Sequence, residues 1–419
     1  MSIKAVLGCL YGDEGKAKII DVLTPDTDVI VRFQGGSNAG HTIQFEGKKY
    51  VLHLIPSGIF HPEKICGLAS GVVVDPYQLE IEMETLKDEV SFRNRFFIDE
   101  RATVGLPIHK LLDKKNEELS GEKKIGTTMR GIGPAYSDNV SRVAIKFFDL
   151  LNKDTLIRKL SFLYQYHNLD LSKEEFNRQI EDLSNFGKKY QQFFVNLPYV
   201  LNTWLKEERR ILFEGAQGAL LDIYFGTYPY VTSSHTLTGG IAPAVGYSPQ
   251  RINQVIGVYK SYVTRVGEGP FPTELFDNLG EEIRKKGNEY GSTTGRPRRC
   301  GWFDLVAAKY SAMLNGVNVI ALTLLDVFTG FDTIKICLNY TLDEMVMNEF
   351  PADTTKLELV KPFYLEMPGW QEDISDCTKF TELPVNAQKY VQKIEELLEI
   401  PIGIISVGPN RNQTIIMKP

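Results

Sequence analysis

Short apolar runs recur along the chain, separated by longer stretches that place apolar residues three and four positions apart among charges. The runs are IKAVLG at 3–8, DVIVRF at 28–33, YVLHLI at 50–55, RFFID at 95–99, RILFEG at 210–215, QVIGVY at 254–259, NVIALTLLD at 318–326 and IGIISVG at 402–408. Continuous apolar strands of this kind suit a parallel sheet buried on both faces, with the amphipathic stretches supplying the helices that cover it. The expected fold class is α/β: a large, mostly parallel central sheet flanked by helices, with a phosphate-loop-like nucleotide site after the first strand. Residues 149–208 lack strand alternation and keep helical spacing, which predicts a helical insertion. Neither a Pro/Gly/Ser-rich linker nor an internal repeat divides the chain, so residues 1–419 read as one domain.

In open parallel sheets, ligands sit beyond the carboxyl ends of strands. The glycine-rich and polar stretches of this chain fall at those ends: YGDEGK after the first strand, QGGSNAGHT after the second, then EGAQG, DVFTG and SVGPN after later ones. Their convergence predicts one site. The bulk composition narrows what that site can serve. With 43% hydrophobic and 24% charged residues the chain has material for a large core. Lys+Arg 47 against Asp+Glu 53 gives a net charge of −6 without a long basic run, so no nucleic-acid footprint is expected and any anionic substrate must meet local cations. The five cysteines, Cys9, Cys66, Cys300, Cys337 and Cys377, are scattered and never spaced as C-x-x-C, which fits a reducing cytosol rather than a disulfide framework or zinc site. No segment approaches the roughly 18 apolar residues of a membrane span, and the N-terminus leads straight into a strand; a cytoplasmic protein is expected.

The stretch GCLYGDEGKAK, residues 8–18, fails the standard phosphate-loop pattern, with Leu10 where its first glycine should be and Ala17 in place of the magnesium-binding hydroxyl. Gly12 and Gly15 still allow a tight turn whose amides face a phosphate, Lys16 can add a point charge, and KAKIIDVL offers a helix N-terminus. Asp13 is out of place in an anion cradle unless it binds magnesium or acts as a base; otherwise Asp13 and Glu14 are ordinary helix-start acids. In GGSNAGHT, the glycines Gly35, Gly36 and Gly40 permit close backbone approach, and His41 is the most suggestive titratable donor, unless it is merely a solvated turn residue. His53, His61, His109, His167 and His235 have no paired metal-ligand spacing and read as incidental. Residues 125–142, IGTTMRGIGPAYSDNVSR, bring Thr127, Thr128 and Arg142, donor types that suit a nucleotide monophosphate. GSTTGRPRRCGW, residues 291–302, clusters Arg296, Arg298 and Arg299; three nearby guanidiniums imply a carboxylate or phosphate between them.

Taken together, GDEGK, GGSNAGHT, VLHLIPSGI, GIGPAY, FEGAQG, YPYVTSS, VGEGPFPTEL, TTGRPRRCGW, MPGWQEDI and ISVGPN resemble, in order and across essentially the whole chain, the blocks of the adenylosuccinate synthetase family. The resemblance implies a magnesium- and GTP-dependent ligase that joins L-aspartate to inosine monophosphate (IMP) through a 6-phosphoryl intermediate. It implies Asp13 as the base at purine N1 and a magnesium ligand, and His41 as the group that stabilises charge during phosphoryl transfer. Gly12, Glu14, Gly15, Lys16, Gly40 and Thr42 would hold GTP phosphates and magnesium, Gly40 through its carbonyl. Arg298 would serve the same region, and Leu324, Asp326, Ser406 and Gly408 the guanine base. Asn38, Thr128, Gln217 and Thr232 would hold IMP, while Ser292, Thr293, Thr294 and Arg296 belong to a loop closing on aspartate. Arg142 would reach IMP's phosphate in the neighbouring subunit, implying a homodimer with shared sites.

The sequence departs from the family pattern at Ala17, where glycine is usual, and at Ser37, where a second histidine is common; LASGVVVDP also replaces an asparagine-containing version. Leu324 stands where a lysine commonly packs on guanine, so weaker nucleotide selectivity is expected. Two other readings are a sister ligase for another purine monophosphate and a non-catalytic nucleotide-binding paralogue. Retained Asp13, His41, Arg296 and Arg298 argue against the second.

Overall fold

The computed structural model describes residues 2–121, 124–248, 251–291 and 295–417. Among the described residues, twelve strands form the central sheet and an adjoining hairpin: β1 (Ile3–Gly8), β2 (Val29–Arg32), β3 (His41–Phe45), β4 (Lys48–Leu52), β5 (Ile65–Leu68), β6 (Phe96–Asp99), β7 (Phe194–Val195), β8 (Ile211–Glu214), β9 (Gln254–Lys260), β10 (Val319–Thr323), β11 (Ile402–Ser406) and β12 (Thr414–Ile416). The sheet runs β12-β11-β10-β9-β1-β8-β2-β5-β6-β7, with β1 near its centre. All its neighbours pair in parallel except β11 with β12. The apolar run at 50–55 is the exception among those predicted: it contributes to β4, antiparallel to β3 and outside this sheet.

The side-chain period of two sorts these strands between two cores. Ile3, Ala5, Leu7, Val29 and Val31 enter one cluster, with the helices Leu305–Asn315 and Val385–Leu398. Val6 and Ile30 enter the other, beneath α1 (Lys16–Leu23) and α2 (Pro76–Leu86). Each fully buried Val, Leu or Ile contributes about 1.5–3 kcal/mol, so shifting one strand's register by a residue would forfeit several such contacts. Further along, α3 (Pro107–Leu119) and α4 (Ile132–Ser141) pack together beside the second cluster.

Residues 149–208 contain α5 (Lys153–Tyr166), α6 (Lys173–Tyr190) and α7 (Leu197–Lys206). They also hold β7, which pairs with β6 at the sheet edge, so the segment is tied into the central sheet rather than wholly helical. Ser172 and Glu175 form a reciprocal cap that starts α6: the Ser172 hydroxyl accepts from Glu175 N (3.2 Å) and Glu175 accepts from Ser172 N (3.4 Å). Among the described residues no helix is long and apolar enough to cross a membrane.

Candidate active site

A cavity of about 580 Å³ opens beyond the carboxyl ends of β1, β2 and β8. Its lining brings together Gly12, Asp13, Gly15 and Lys16 from the loop after β1, and Asn38, Gly40, His41 and Thr42 from the stretch after β2. Thr128, Gln217, Thr232 and Arg298 join them from four further segments.

Glu14 organises the first loop from inside. Its buried carboxylate accepts from Leu10 N (3.0 Å) and Gly12 N (2.8 Å) and pairs with Lys16 Nζ at 2.7 Å. The carboxylate is thereby committed to the loop itself, so what Glu14 can offer a nucleotide is its backbone. Lys16 keeps two of its three N–H donors for a phosphate. Gly8 must be glycine, because a Cβ there would lie 2.3 Å from Glu14 Oε2 and 2.4 Å from Gln217 O. Gly15, at φ 86°, then turns the chain into α1.

Asp13 sits at the loop's crest in the left-handed region, φ 59°, a conformation that costs a non-glycine residue energy and turns its side chain into the cavity. Arg298 Nε lies 3.0 Å from Asp13 Oδ2, an ion pair whose angle falls short of a hydrogen bond. Desolvation works to raise the Asp13 carboxyl, and Arg298, Lys260 and Lys16 together overcome it, so the group is held below its ordinary value and ionised. Arg298 is itself positioned by buried Glu289, whose Oε2 accepts from Arg298 Nη1 at 2.5 Å, while Oε1 takes Lys260 Nζ at 2.7 Å. The neighbouring Arg299 pairs instead with Glu274 (Nε to Oε1, 2.8 Å), so the third guanidinium of the cluster finds its carboxylate within the protein. Arg296 is exposed, and its carbonyl accepts from Gly291 N at 2.8 Å. Ser292, Thr293 and Thr294 lie outside the described residues.

His41 opens β3 and is buried, with Nδ1 2.6 Å from Glu214 Oε1 at the end of β8. Ser57 donates to both oxygens of that carboxylate, from Oγ to Oε1 and from N to Oε2, each at 2.9 Å. A carboxylate can only accept, so His41 carries its proton on Nδ1 and turns Nε2 toward other partners. Burial pushes the imidazole below its ordinary value, and Glu214 opposes that shift. Beneath it, fully buried Arg32 donates to Gly36 O (2.7 Å), Gln34 O (3.4 Å) and His53 O, stapling the glycine-rich loop to the β3–β4 hairpin.

Asn38 Oδ1 accepts from Gly36 N (3.1 Å), which leaves the amide N–H groups for a ligand. Gln217, at φ 57°, has a buried Oε1 without a hydrogen-bond partner among the described residues. The Thr128 loop is held from below by Glu117, which accepts from Gly126 N (2.7 Å) and Thr127 N (3.3 Å). The cavity is lined from α4 by Ile132, Gly133, Pro134 and Ser137, whereas Arg142 is exposed at the helix's far end. Arg142 follows α4 directly and does not line this cavity.

Asp326, Leu324, Ser406 and Gly408 do not line the cavity. They gather at the carboxyl ends of β10 and β11, joined to the first loop through α1: Lys18 Nζ donates to Ser406 Oγ (2.6 Å), Gly408 O (2.6 Å) and Gln413 O (2.8 Å). Burial pushes Lys18 down to about 7, against the opposing charge of Asp326. Desolvation raises Asp326, whose Oδ1 is buried and unpartnered among the described residues. Leu324 packs partly onto the core in a left-handed conformation, φ 56°, and its carbonyl accepts from Ser261 Oγ (2.8 Å).

Sequence reasoning missed Glu214, Arg32, Glu289, Glu117 and Lys18 as supports of the site. A charge closing an apolar strand run, as in RILFEG and DVIVRF, was the available signal for the first two. The histidines read as incidental do include structural pairs: His109 and His167 both meet buried Asp138, at 3.0 and 2.8 Å.

Comparison with known proteins agrees with this geometry. The adenylosuccinate synthetase family model matches residues 5–415. The chain is 48% identical to the adenylosuccinate synthetase of Halothermothrix orenii, covering 99% of this chain and 98% of the relative, and 47% identical to that of Enterococcus faecalis, covering 100% and 99%. Among solved structures, a fully ligated adenylosuccinate synthetase from Plasmodium falciparum aligns over 100% of both chains with a TM-score of 0.95 and 40% identity. A cyanophage succinoaminodeoxyadenylate synthetase bound to dGMP and dATP shares the fold, with a TM-score of 0.63 at 20% identity over 100% of this chain and 96% of that one. With relatives matched end to end and a family model spanning nearly every residue, the chain belongs to the adenylosuccinate synthetase family.

Proposed function

We infer that this ligase joins L-aspartate to IMP at the expense of GTP, and that the cavity around Asp13 is where the chemistry occurs. The observation that carries the reading is the Asp13 carboxylate, paired with Arg298 at 3.0 Å and lining the cavity from the crest of a phosphate loop whose other acid, Glu14, is spent on the loop itself. Asp13 accepts the N1 proton of IMP, which leaves O6 as the nucleophile toward the γ-phosphorus of GTP. The bond to the β–γ bridging oxygen breaks as the O6–phosphorus bond forms, giving GDP and 6-phosphoryl-IMP. The amine of aspartate then attacks C6 and expels phosphate, a far better leaving group than the original oxygen.

Lys16 and the loop amides meet the transferring phosphates, and His41 Nε2, when protonated, donates to the charge that develops there. Asn38, Thr128, Gln217 and Thr232 orient IMP; Arg296 and Arg298 meet the anionic groups of aspartate and phosphate. A hard divalent cation that keeps waters and phosphate oxygens needs only one or two protein oxygens, and the Asp13 carboxylate and Gly40 carbonyl suit that need. Magnesium bound there neutralises phosphate charge during transfer. Arg142, exposed at the far end of α4, suits a role in the site of a second subunit, and a homodimer with shared sites follows. The retained Asp13 favours a purine with a removable N1 proton over the non-catalytic reading.

The test is an ultraviolet assay of adenylosuccinate formation with IMP, aspartate, GTP and magnesium, each omitted in turn. Every omission is expected to abolish product, and in the same assay Arg142→Leu raises the KM for IMP with kcat largely retained. Product formed without aspartate or without GTP would contradict the assignment.

A further inference from the structure

We propose that Glu289 is a positioning residue for aspartate: it holds Arg298 by one nitrogen, away from a bidentate clasp on Asp13, and so keeps the Nε edge of the guanidinium for a carboxylate of the substrate. The inference rests on the reading that Asp13 and Arg298 serve the reaction in this cavity. Glu289 and Lys260 are only 1% and 2% exposed, and each oxygen of the buried carboxylate has its own task. Oε1 accepts from Lys260 Nζ (2.7 Å), at the end of β9, and from Tyr262 Oη (2.5 Å). Oε2 accepts from Arg298 Nη1 (2.5 Å). The backbone repeats the attachment: Arg298 N donates to Glu289 O (2.9 Å), beside an antiparallel bridge between Tyr290 and Pro297. Glu289 thus fastens Arg298 to the central sheet through Lys260.

A guanidinium beside a lone carboxylate commonly closes on it through two parallel N–H bonds. Arg298 does not do so with Asp13: its Nε lies 3.0 Å from Oδ2, yet is buried without a hydrogen-bond partner among the described residues. The hold of Glu289 on Nη1 accounts for that unfinished pair. Asp13 therefore keeps its oxygens for the purine and the metal. Arg298, which lines the cavity, keeps its Nε edge for an anion that arrives there. Of the three substrates only aspartate brings carboxylates, the planar anions that this edge matches.

The test is steady-state kinetics of the full-length enzyme, with the KM for aspartate and for IMP measured separately. In Glu289→Gln the single amide oxygen stays with the two donors Lys260 and Tyr262, and the amide nitrogen then faces Arg298 Nη1, donor against donor. This variant is expected to raise the KM for aspartate about tenfold, the worth of one charge-assisted hydrogen bond, with the KM for IMP within about twofold of wild type. Glu289→Asp, which keeps the buried charge but withdraws it from Arg298 by one methylene, gives the same split should the glutamine variant not fold. Arg298→Leu raises the KM for aspartate at least as much. Adding Glu289→Gln to it raises that KM no further, because the glutamate acts through the arginine. A carboxylate that merely stabilised the fold would move both KM values together. Equal rises for aspartate and IMP, an unchanged KM for aspartate in both Glu289 variants, or effects that multiply in the double variant overturn the proposal. If Arg298→Leu itself keeps the wild-type KM for aspartate, the underlying reading of Arg298 fails and the role of Glu289 falls with it.

Discussion

A charge buried without water persists only when its lone pairs or protons are taken, and at this site each such charge orients another. Glu214 is the clearest case: Ser57 saturates it from one side, which leaves it to hold His41 by Nδ1. Because the carboxylate raises the affinity of His41 for a proton while burial lowers it, Glu214→Gln should shift the alkaline limb of the kcat profile to lower pH. At neutral pH we expect kcat to fall about 10- to 100-fold, with recovery on acidification and little change in the KM for IMP. A variant whose pH profile superimposes on wild type would show that Glu214 is only structural. Asp13 and His41 were legible in the sequence because each is chemically out of place in a glycine-rich phosphate turn. Glu214 and Lys18 were not, since their partners stand 173 and 388 positions away.

At the scale of elements, the site depends on how the β3–β4 hairpin is anchored. Buried Glu82 on α2 accepts from the backbone N–H groups of His53 (2.7 Å), Leu54 (3.0 Å) and Ile55 (3.4 Å), just beyond β4. Burial raises this carboxyl from 4.5 to about 7, with the amides opposing. The folded state then binds the proton more tightly than the unfolded chain, so the stabilisation is complete below pH 4.5 and is lost as the pH rises through 7. Between pH 7 and 5 the native state should gain about 2 kcal/mol from this group. The thermal midpoint of wild type relative to Glu82→Gln should therefore rise as the pH is lowered across that range. Equal responses of the two proteins would show that burial does not raise the Glu82 carboxyl in the folded state. The hairpin illustrates why elements are harder to read than motifs: YVLHLI has the composition of a buried parallel strand, yet part of it pairs locally with β3, and only tertiary context separates the two outcomes.

Across the whole molecule, the mostly parallel sheet and the meeting of its carboxyl-end loops were legible, because apolar runs and glycine-rich turns alternate along the chain. The short strands β5, β7 and β12 were not, being too brief or too polar to show a period. The order of the sheet was equally hidden: β1 lies between β8 and β9, strands more than 200 positions away in sequence, and this placement packs Gln217 against Gly8 and Gly12. That packing assembles distant loops around Asp13, the proton acceptor of the proposed reaction. The most direct measurement is therefore turnover and IMP affinity of Asp13→Asn, which keeps the side chain's shape and removes its basicity. We expect kcat to fall by about 10²–10⁴-fold, the range for loss of a positioned base, while the Kd for IMP stays within a few-fold of wild type. An asparagine enzyme that turns over at the wild-type rate would contradict the role of Asp13 as proton acceptor.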